Sequence, residues 1–471
     1  MSANCQMTTK RSEGPIFGTD GIRGRALEGW LTTAAVEALG RAAGAVLSRD
    51  SDGSEGEALI AHDGRASAAP IQEALARGLA QSGIRATTAG LLPTPGLAWL
   101  TGSRPVTLGA MISASHNPAE DNGIKLFAGG GNKLTDAEQA EIEVRLRDEL
   151  ERVDPDAESN EPAGPALARD ESLHSAYADH LVALGTEGDP LDLSGLNIVV
   201  DAANGAASSV GPDVLRRLGA EVTGLHCAPD GLNINADCGS THPESLQARV
   251  LETGASLGIA LDGDADRCLL VDEQGQLVDG DAIMTIIARD AAQRGLWKDP
   301  RIVATVMSNR GLHRALSPSG IGVHEVGVGD RQVVEGLRSE GLRLGGEKSG
   351  HVIFGSENGF IGDGLLTALH VLGVAVRNQA TLSSLAAPFI PFPQVLLGLV
   401  VSSKPDLETL TEFQALRARF EEELGADGRV NVRYSGTEPK ARVMIEGPDE
   451  QRIEQMAVQL SEALAREIER G

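Results

Sequence analysis

The chain has 471 residues, 41% of them hydrophobic, with 67 acidic against 41 basic side chains and a formal net charge of −26. At roughly 150 residues per domain, this length predicts about three domains. The acidic field excludes a nucleic-acid binder, which needs a basic footprint, and no run approaches the roughly 18 apolar residues of a membrane span.

The N-terminal MSANCQMTTKRSEG has no apolar core long enough for a signal peptide. Cys5, Cys227, Cys238 and Cys268 show neither a C-x-x-C pair nor zinc spacing, so they are expected to be reduced, structural thiols in a cytoplasmic protein. The first dozen residues and 48–57 (SRDSDGSEGE) have the composition of mobile segments. Residues 58–88 then read as strand, helix, strand, with glycine closing the helix. The apolar run that follows breaks into ASHNPAEDNGIK at 114–125, where Asn117-Pro118 and Asn122-Gly123 are turn signals that predict an exposed loop. Ser115 on such a loop, with Lys125 ten residues on, suits covalent group transfer. Residues 153–170, rich in Pro, Glu and Asp, read as an exposed insertion.

The strand–helix–strand pattern returns at 197–226 and at 301–326. After the second copy comes DGDADR at 262–267, whose Asp262, Asp264 and Asp266 are hard oxygen ligands of the kind that select Mg²⁺ or Ca²⁺. An EF-hand is excluded, although Glu273 stands at the twelfth position. Arg267 stands where that loop needs glycine, and SLGIAL before and CLLVDE after read as strands. After the third copy comes GGEKSGH at 345–351, whose carboxylate, hydroxyl and imidazole suit sugar hydroxyls. It lacks the spacing of a nucleotide-binding P-loop. The last part differs: a strand near 393–402, a helix over 406–425, a loop RYSGTEPKAR at 433–442 and a helix over 449–469. Two arginines, a lysine, two hydroxyls and a glycine-freed backbone make that loop a phosphate cradle. The expected fold is therefore three similar α/β, mixed-sheet domains at 1–172, 173–277 and 278–391, with a smaller α+β domain at 392–471. Each delivers one loop from the carboxyl ends of its strands.

The motifs FGTDGIRG (17–24), ISASHNP (112–118), DNGIK (121–125), DGDADR (262–267), GEKSGH (346–351) and RYSGTEP (433–439) resemble those of the α-D-phosphohexomutase superfamily. VDGD at 278–281 and GDGLLTAL at 362–369 match as well, and NINADCGSTHPE at 233–244 points to the bacterial phosphoglucosamine mutase branch. The resemblance runs from about Gly14 to the C-terminus. It implies four domains around one central cleft and exchange of phosphate between O6 and O1 of glucosamine through a phosphoserine and a 1,6-bisphosphate, feeding UDP-N-acetylglucosamine synthesis. The partner is then a small sugar phosphate, and the chain a monomer or homodimer.

By position, the resemblance makes Ser115 the phosphoserine, required for activity. It gives one Mg²⁺ to Asp262, Asp264 and Asp266 together with an oxygen on Ser115. Arg267 neighbours that site, and Arg23 is the N-terminal active-site arginine or a salt-bridge partner between domains. Glu347 and Ser349 bind sugar hydroxyls, while Arg433, Ser435, Gly436 and Thr437, with Arg442 nearby, grip the phosphate that is not reacting. Lys125 and His351 are the proton-transfer candidates, although for Lys125 to act as a base nearby cations must lower its pKa. His116 either fixes the serine loop or takes part in chemistry, His62 is a possible strand-end cap, and Cys268 is core. A metal-dependent phosphatase is disfavoured by the full sugar and distal-phosphate loops, and a non-catalytic sensor by the retention of Ser115 and all three aspartates.

Overall fold

The computed structural model describes residues 14–18, 20–48, 56–152, 167–186, 190–435 and 439–470. The predicted mobile segments at 1–12 and, for the most part, 48–57 lie outside them, as do 153–166 of the acidic insertion and Gly436 and Thr437 of the phosphate loop.

Two compact units divide the chain. The larger runs up to Met307 and resumes over Val323–Ala386; the smaller comprises Ser308–Gly322 and Ala387–Gly471. The strands are β1 (Ile22–Arg25), β2 (Gly56–His62), β3 (Ile84–Leu91), β4 (Leu108–Ile112), β5 (Asp121–Ala128), β6 (Ala168–Arg169), β7 (Asn197–Asp201), β8 (Glu221–Leu225), β9 (Leu257–Leu261), β10 (Cys268–Asp272), β11 (Leu277–Val278), β12 (Arg301–Thr305), β13 (Gly322–Val326), β14 (Leu344–Gly346), β15 (Val352–Phe354), β16 (Gln394–Val400), β17 (Arg429–Tyr434) and β18 (Lys440–Glu446).

The larger unit carries three sheets, ordered β1-β5-β4-β2-β3-β6, β11-β10-β9-β7-β8 and β13-β12-β14-β15. In the first, β2 pairs parallel with β3 and β4, whereas β5 returns antiparallel to β4. In the second, β7 pairs parallel with β8 and β9, and β10 returns antiparallel to β9. In the third, β12 and β14 are parallel and β15 returns antiparallel. Each functional loop of the larger unit is therefore the connection at which a sheet changes from parallel to antiparallel. The repeated strand–helix–strand units at 58–88, 197–226 and 301–326 are all found. The expected irregular insertion at 153–170 ends in β6, which pairs with β3.

Local chemistry explains where the helices start. Asp279 of the VDGD motif caps the helix Gly280–Gln293, its carboxylate accepting the N–H of Ala282. Asp363 of the GDG motif does the same for Gly364–Asn378 through Leu366. Both motifs thus have a structural duty. With few aromatics, packing relies on close approach. The helices α1 (Thr33–Leu47) and α2 (Ala68–Gln81) meet where Gly40 and Gly78 face each other over an Ala-, Leu- and Ile-rich core.

The smaller unit is an antiparallel sheet, β16-β18-β17, with the helices Thr411–Leu424 and Glu450–Arg470. Phe413, Phe420, Val443, Ile445, Met456 and Leu460 form its core. It also takes in residues 308–322, which the sequence places in the third domain.

A side chain at Gly78 would bring a Cβ within 2.0 Å of the Glu37 carbonyl oxygen. Gly78→Ala must separate α1 from α2, and overpacking of this kind costs about 1–3 kcal/mol. The expected result is a lower denaturant midpoint with an unchanged m-value, read by urea unfolding; an unchanged midpoint refutes the packing argument.

Candidate active site

Ser115 sits three residues beyond β4 in the left-handed region, at φ 53°, a conformation unusual for serine and held only when its surroundings impose it. Those surroundings are specific. The guanidinium of Arg65, on the turn between β2 and α2, is wholly buried and paired with Asp63 at 2.9 Å. It donates to the carbonyl oxygens of Ser115 (3.1 Å), Asn117 (2.7 Å) and Asp121 (2.8 Å), and also to that of Pro118. From the second domain, the Asn235 carboxamide donates to Ser115 O at 2.8 Å and to Asn117 O at 3.0 Å. Gly263 completes the approach, since a Cβ there would lie 2.6 Å from Ser115 O. The loop is thus fixed, and its burial is divided: Ser115 is 1% exposed, contrary to the exposed loop expected from the turn signals, whereas Pro118 and Glu120 are exposed as expected. Asn122-Gly123 is not a turn but lies within β5, where Gly123 lets β1 and the serine loop come close.

The aspartate loop faces Ser115. The Ser115 hydroxyl donates to Asp262 Oδ2 at 2.6 Å. Asp262, Asp264 and Asp266 present carboxylate oxygens that all lie within 4.8 Å of one another. All three are buried, so the loop is not a solvated acidic turn. Thr94 Oγ1 donates to Asp264 Oδ2 at 2.6 Å, and Asp264 Oδ1 is buried without a hydrogen bond. Burial, together with Asp266 and Asp264, pushes Asp262 up to about 8. Burial also opposes ionisation of Asp266, but Lys125 and His351 outweigh it and hold that carboxyl well below the usual range. An all-oxygen trio with an orphaned buried oxygen and one carboxyl that cannot ionise freely fits a hard divalent cation.

Lys125, on β5, is buried among Asp20 and Asp264, each at 2.7 Å, and Asp266 at 3.2 Å. Burial would lower its pKa, but Asp20, Asp264 and Asp266 raise it well above the ordinary value. The cations needed to make it a base are thus replaced by carboxylates. His351 is buried, with Nδ1 3.5 Å from Asp266 Oδ1, and Asp266 outweighs burial to raise its pKa. Arg267 donates its backbone N–H to Asp262 Oδ1 at 3.1 Å, and its guanidinium lies 3.9 Å from Asp266. Arg23 pairs with Asp20 at 2.8 Å, within its own domain. Glu347 accepts the N–H of Gly329 at 3.1 Å, and Ser349 is exposed on the same loop.

His116 Nδ1 lies 3.3 Å from the Ser115 hydroxyl, and burial pushes this imidazole down to about 4. His62 accepts the N–H of Gly64 at 3.1 Å, the cap expected of it, and Cys268 is core. In the smaller unit, Arg433 and Arg442 stand directly opposite each other on β17 and β18, with Ser435 beyond the end of β17. Like charges opposite each other across a strand pair destabilise it, and an anion between them removes the penalty.

The sequence reading missed Asp20, Arg65, Lys133 and Asn235. Lys133 bonds Asp20 at 2.6 Å and also pairs with Asp330. Asp20, Lys125 and Lys133, with Arg331 and Arg338, line a cavity of about 400 Å³. Asp20 and Asn235 lie inside FGTDGIRG and NINADCGSTHPE, and Arg65 follows the end of β2 by three residues; their partners are distant in sequence.

Comparison with known proteins agrees with this fold. Models of the phosphoglucomutase/phosphomannomutase family match four segments: α/β/α domain I at 14–153, domain II at 175–275, domain III at 279–391 and the C-terminal domain at 399–463. The phosphoglucosamine mutase of Symbiobacterium thermophilum is 45% identical over 96% of this chain and 99% of its own. That of Nocardia farcinica is 43% identical, with the same coverage. The crystal structure of a phosphoglucomutase/phosphomannomutase family protein from Burkholderia thailandensis superposes with a TM-score of 0.77 at 26% identity, covering 96% of this chain and 97% of that one. The chain belongs to the phosphoglucomutase/phosphomannomutase family.

Asn235→Asp keeps a side chain that tolerates the positive φ of 57° at this position but turns a donor into an acceptor facing two carbonyl oxygens. A lost buried hydrogen bond of this kind costs about 1–3 kcal/mol. If that cost falls on the pose of Ser115, kcat drops roughly 5- to 150-fold while KM changes little. Steady-state kinetics check this, and an unchanged kcat means that Arg65 alone sets the loop.

Proposed function

We infer that this chain interconverts glucosamine 6-phosphate and glucosamine 1-phosphate through phospho-Ser115 and glucosamine 1,6-bisphosphate, feeding UDP-N-acetylglucosamine synthesis. The observation that carries the reading is the Ser115 hydroxyl held 2.6 Å from Asp262 at the edge of a buried carboxylate trio, in a chain matched along its length by phosphoglucosamine mutases.

In the forward direction, O1 of the sugar attacks the phosphorus of phospho-Ser115. The P–Oγ bond breaks as the P–O1 bond forms, and the O1 proton passes to a base. The bisphosphate then turns end for end. Ser115 Oγ attacks the 6-phosphate, the bond from phosphorus to O6 breaks, O6 takes a proton, and glucosamine 1-phosphate leaves with the phosphoserine restored. Asp262, Asp264 and Asp266, with an oxygen on Ser115, would hold Mg²⁺, which when bound offsets charge on the transferring phosphoryl oxygens. Lys125, held as a cation, suits proton donation and charge neutralisation, whereas His351, poised on Asp266, suits proton exchange with a sugar hydroxyl. Arg267 and Arg23 act electrostatically on the transferring group. Glu347 and Ser349 take sugar hydroxyls. Arg433, Ser435, Gly436, Thr437 and Arg442 hold the distal phosphate in both orientations. We place the enzyme in the cytoplasm, as a monomer or homodimer, without nucleic-acid or membrane partners. Among the described residues, no helix is long and apolar enough to cross a membrane.

Ser115 should carry phosphate in a fraction of the purified protein, detectable by intact mass and peptide mapping, and Ser115→Ala should lack mutase activity. Wild-type turnover in the alanine variant overturns the covalent route. In a coupled assay, glucosamine 6-phosphate should be preferred over glucose 1-phosphate and mannose 1-phosphate; the reverse order moves the assignment to another branch of the family.

Arg433→Ala would remove one partner of the charge pair formed with the distal phosphate, at about 2–5 kcal/mol where binding desolvates that pair. The expected fall in kcat/KM is roughly 30- to 5,000-fold. Arg433→Lys should recover part of this, because an ammonium lacks the planar fork, and the alanine variant should release more bisphosphate into solution. A near-normal kcat/KM transfers the duty to Arg442 or Lys440.

A further inference from the structure

The second domain holds another convergence of side chains, separate from the aspartate trio. Asp201 ends β7, His226 follows β8 directly, and Cys238 lies in the NINADCGS segment. One ligand atom from each, a carboxylate oxygen, a ring nitrogen and Sγ, lies within 4.8 Å of the other two. A tetrahedral ion with bonds of about 2.0–2.3 Å needs its ligand atoms roughly 3.3–3.8 Å apart, so modest side-chain adjustment closes the set. Asp201 and Cys238 are fully buried, and the His226 side chain is 28% exposed, which opens a way in from solvent.

The surroundings favour a built site over a simple Asp–His pair. Asp201 Oδ1 accepts the N–H of Ala203 and Oδ2 that of Gly239, both at 2.9 Å, so the carboxylate is oriented by backbone on either side. Outer contacts of this kind fix the direction of a metal ligand. His226 Nδ1 lies 2.9 Å from Asp201 Oδ2, the single side-chain contact an ion would replace. The pair alone explains the His226 position but not the thiol. Among the described residues Cys238 Sγ makes no hydrogen bond, and it lies beside two groups that are both metal ligands by nature.

We propose that Asp201, His226 and Cys238 form a second cation site, selective for a thiophilic divalent ion of the Zn²⁺ class, with the fourth position open to water. A thiolate, an imidazole and a carboxylate discriminate for such ions, just as the all-oxygen trio discriminates for harder ones. On binding, the metal–sulfur bond replaces the S–H bond and the thiol proton leaves to solvent. Cys238 lies three residues from Asn235, whose carboxamide holds Ser115 O, so the bound ion braces the segment that positions the serine loop.

Cobalt(II) tests this on the full-length protein with Mg²⁺ at saturation. A thiolate–cobalt bond gives a near-ultraviolet charge-transfer band that oxygen ligands cannot produce, so the aspartate trio is silent. The expected result is a band that saturates at one equivalent and is displaced by Zn²⁺. It should be absent in Cys238→Ser, weakened in His226→Gln and retained in Cys5→Ser and Cys227→Ser. The His226 variant alters a partly exposed side chain and guards against loss of folding in the buried cysteine variant. No band in the wild type, a band that survives Cys238→Ser, or one lost with Cys5 or Cys227 overturns the site.

Discussion

The Ser115 loop depends on one buried cation. Arg65 has no exposed side-chain surface, and its charge is met by Asp63 and by carbonyl oxygens from four positions of the loop around Ser115. Burying a guanidinium is costly unless every donor is matched, so the loop cannot move without stranding that charge. Asp63 extends the constraint: it also accepts the Ser113 hydroxyl at 2.6 Å, and Ser113 Oγ in turn accepts the N–H of Ser115 at 2.8 Å. A serine at positive φ is thereby held in one pose. On the function inferred above, a serine that gives and then retrieves a phosphoryl group would gain from such rigidity, because misplacement would count twice per turnover.

The same topological device brings the other loops to that serine. Ser115, the aspartate trio and Glu347–His351 each follow the strand at which a sheet switches from parallel to antiparallel, and backbone bonds tie the connections together. Thr94 donates to Asp264 O, Ala206 to Gly263 O, Gly364 to Ala265 O and Cys268 to Gly350 O, all at 2.8–3.0 Å. The aspartate loop is thus held by the main chain of its neighbours as well as by its side chains. This allows three carboxylates to be buried at one point.

Most of the architecture was legible in the sequence because it is local: the strand–helix–strand units, the helix-closing glycines and the hydrophobic periods all act within a few residues. Burial of the site was not legible. Asn-Gly and Asn-Pro are turn signals on local grounds, yet Gly123 serves close approach of β1, and the serine loop is covered by groups from elsewhere in the chain. Three aspartates in six residues read as hard-metal ligands, but their counter-charge, Lys125, was not legible, because it lies 139 positions before Asp264. For the same reason nothing local marks Arg65: all its carbonyl partners lie about fifty residues on. Contacts that leave no local pattern are the ones that a single sequence conceals.

The distribution of charge within the site decides what it can accept. Lys125 is shared by Asp20, Asp264 and Asp266, and Lys133 by Asp20 and Asp330. Among the described residues Asp262 receives no lysine: it has the Ser115 hydroxyl and the backbone N–H of Arg267, with the Arg267 charge nearby as a partial offset, and its carboxyl is pushed up to about 8. A phosphate on Ser115 would add about −1.5 to −2 of charge beside the one aspartate already short of compensation. Phosphorylation without a cation would therefore drive Asp262 further towards its protonated form, and a cation without the phosphate would meet a trio already partly neutralised by Lys125. Each strengthens the other, and by linkage the strengthening is equal in both directions. On the function inferred above, the acidic loop and the serine would act as one coupled site, its affinity for a hard divalent ion rising with a phosphate on Ser115.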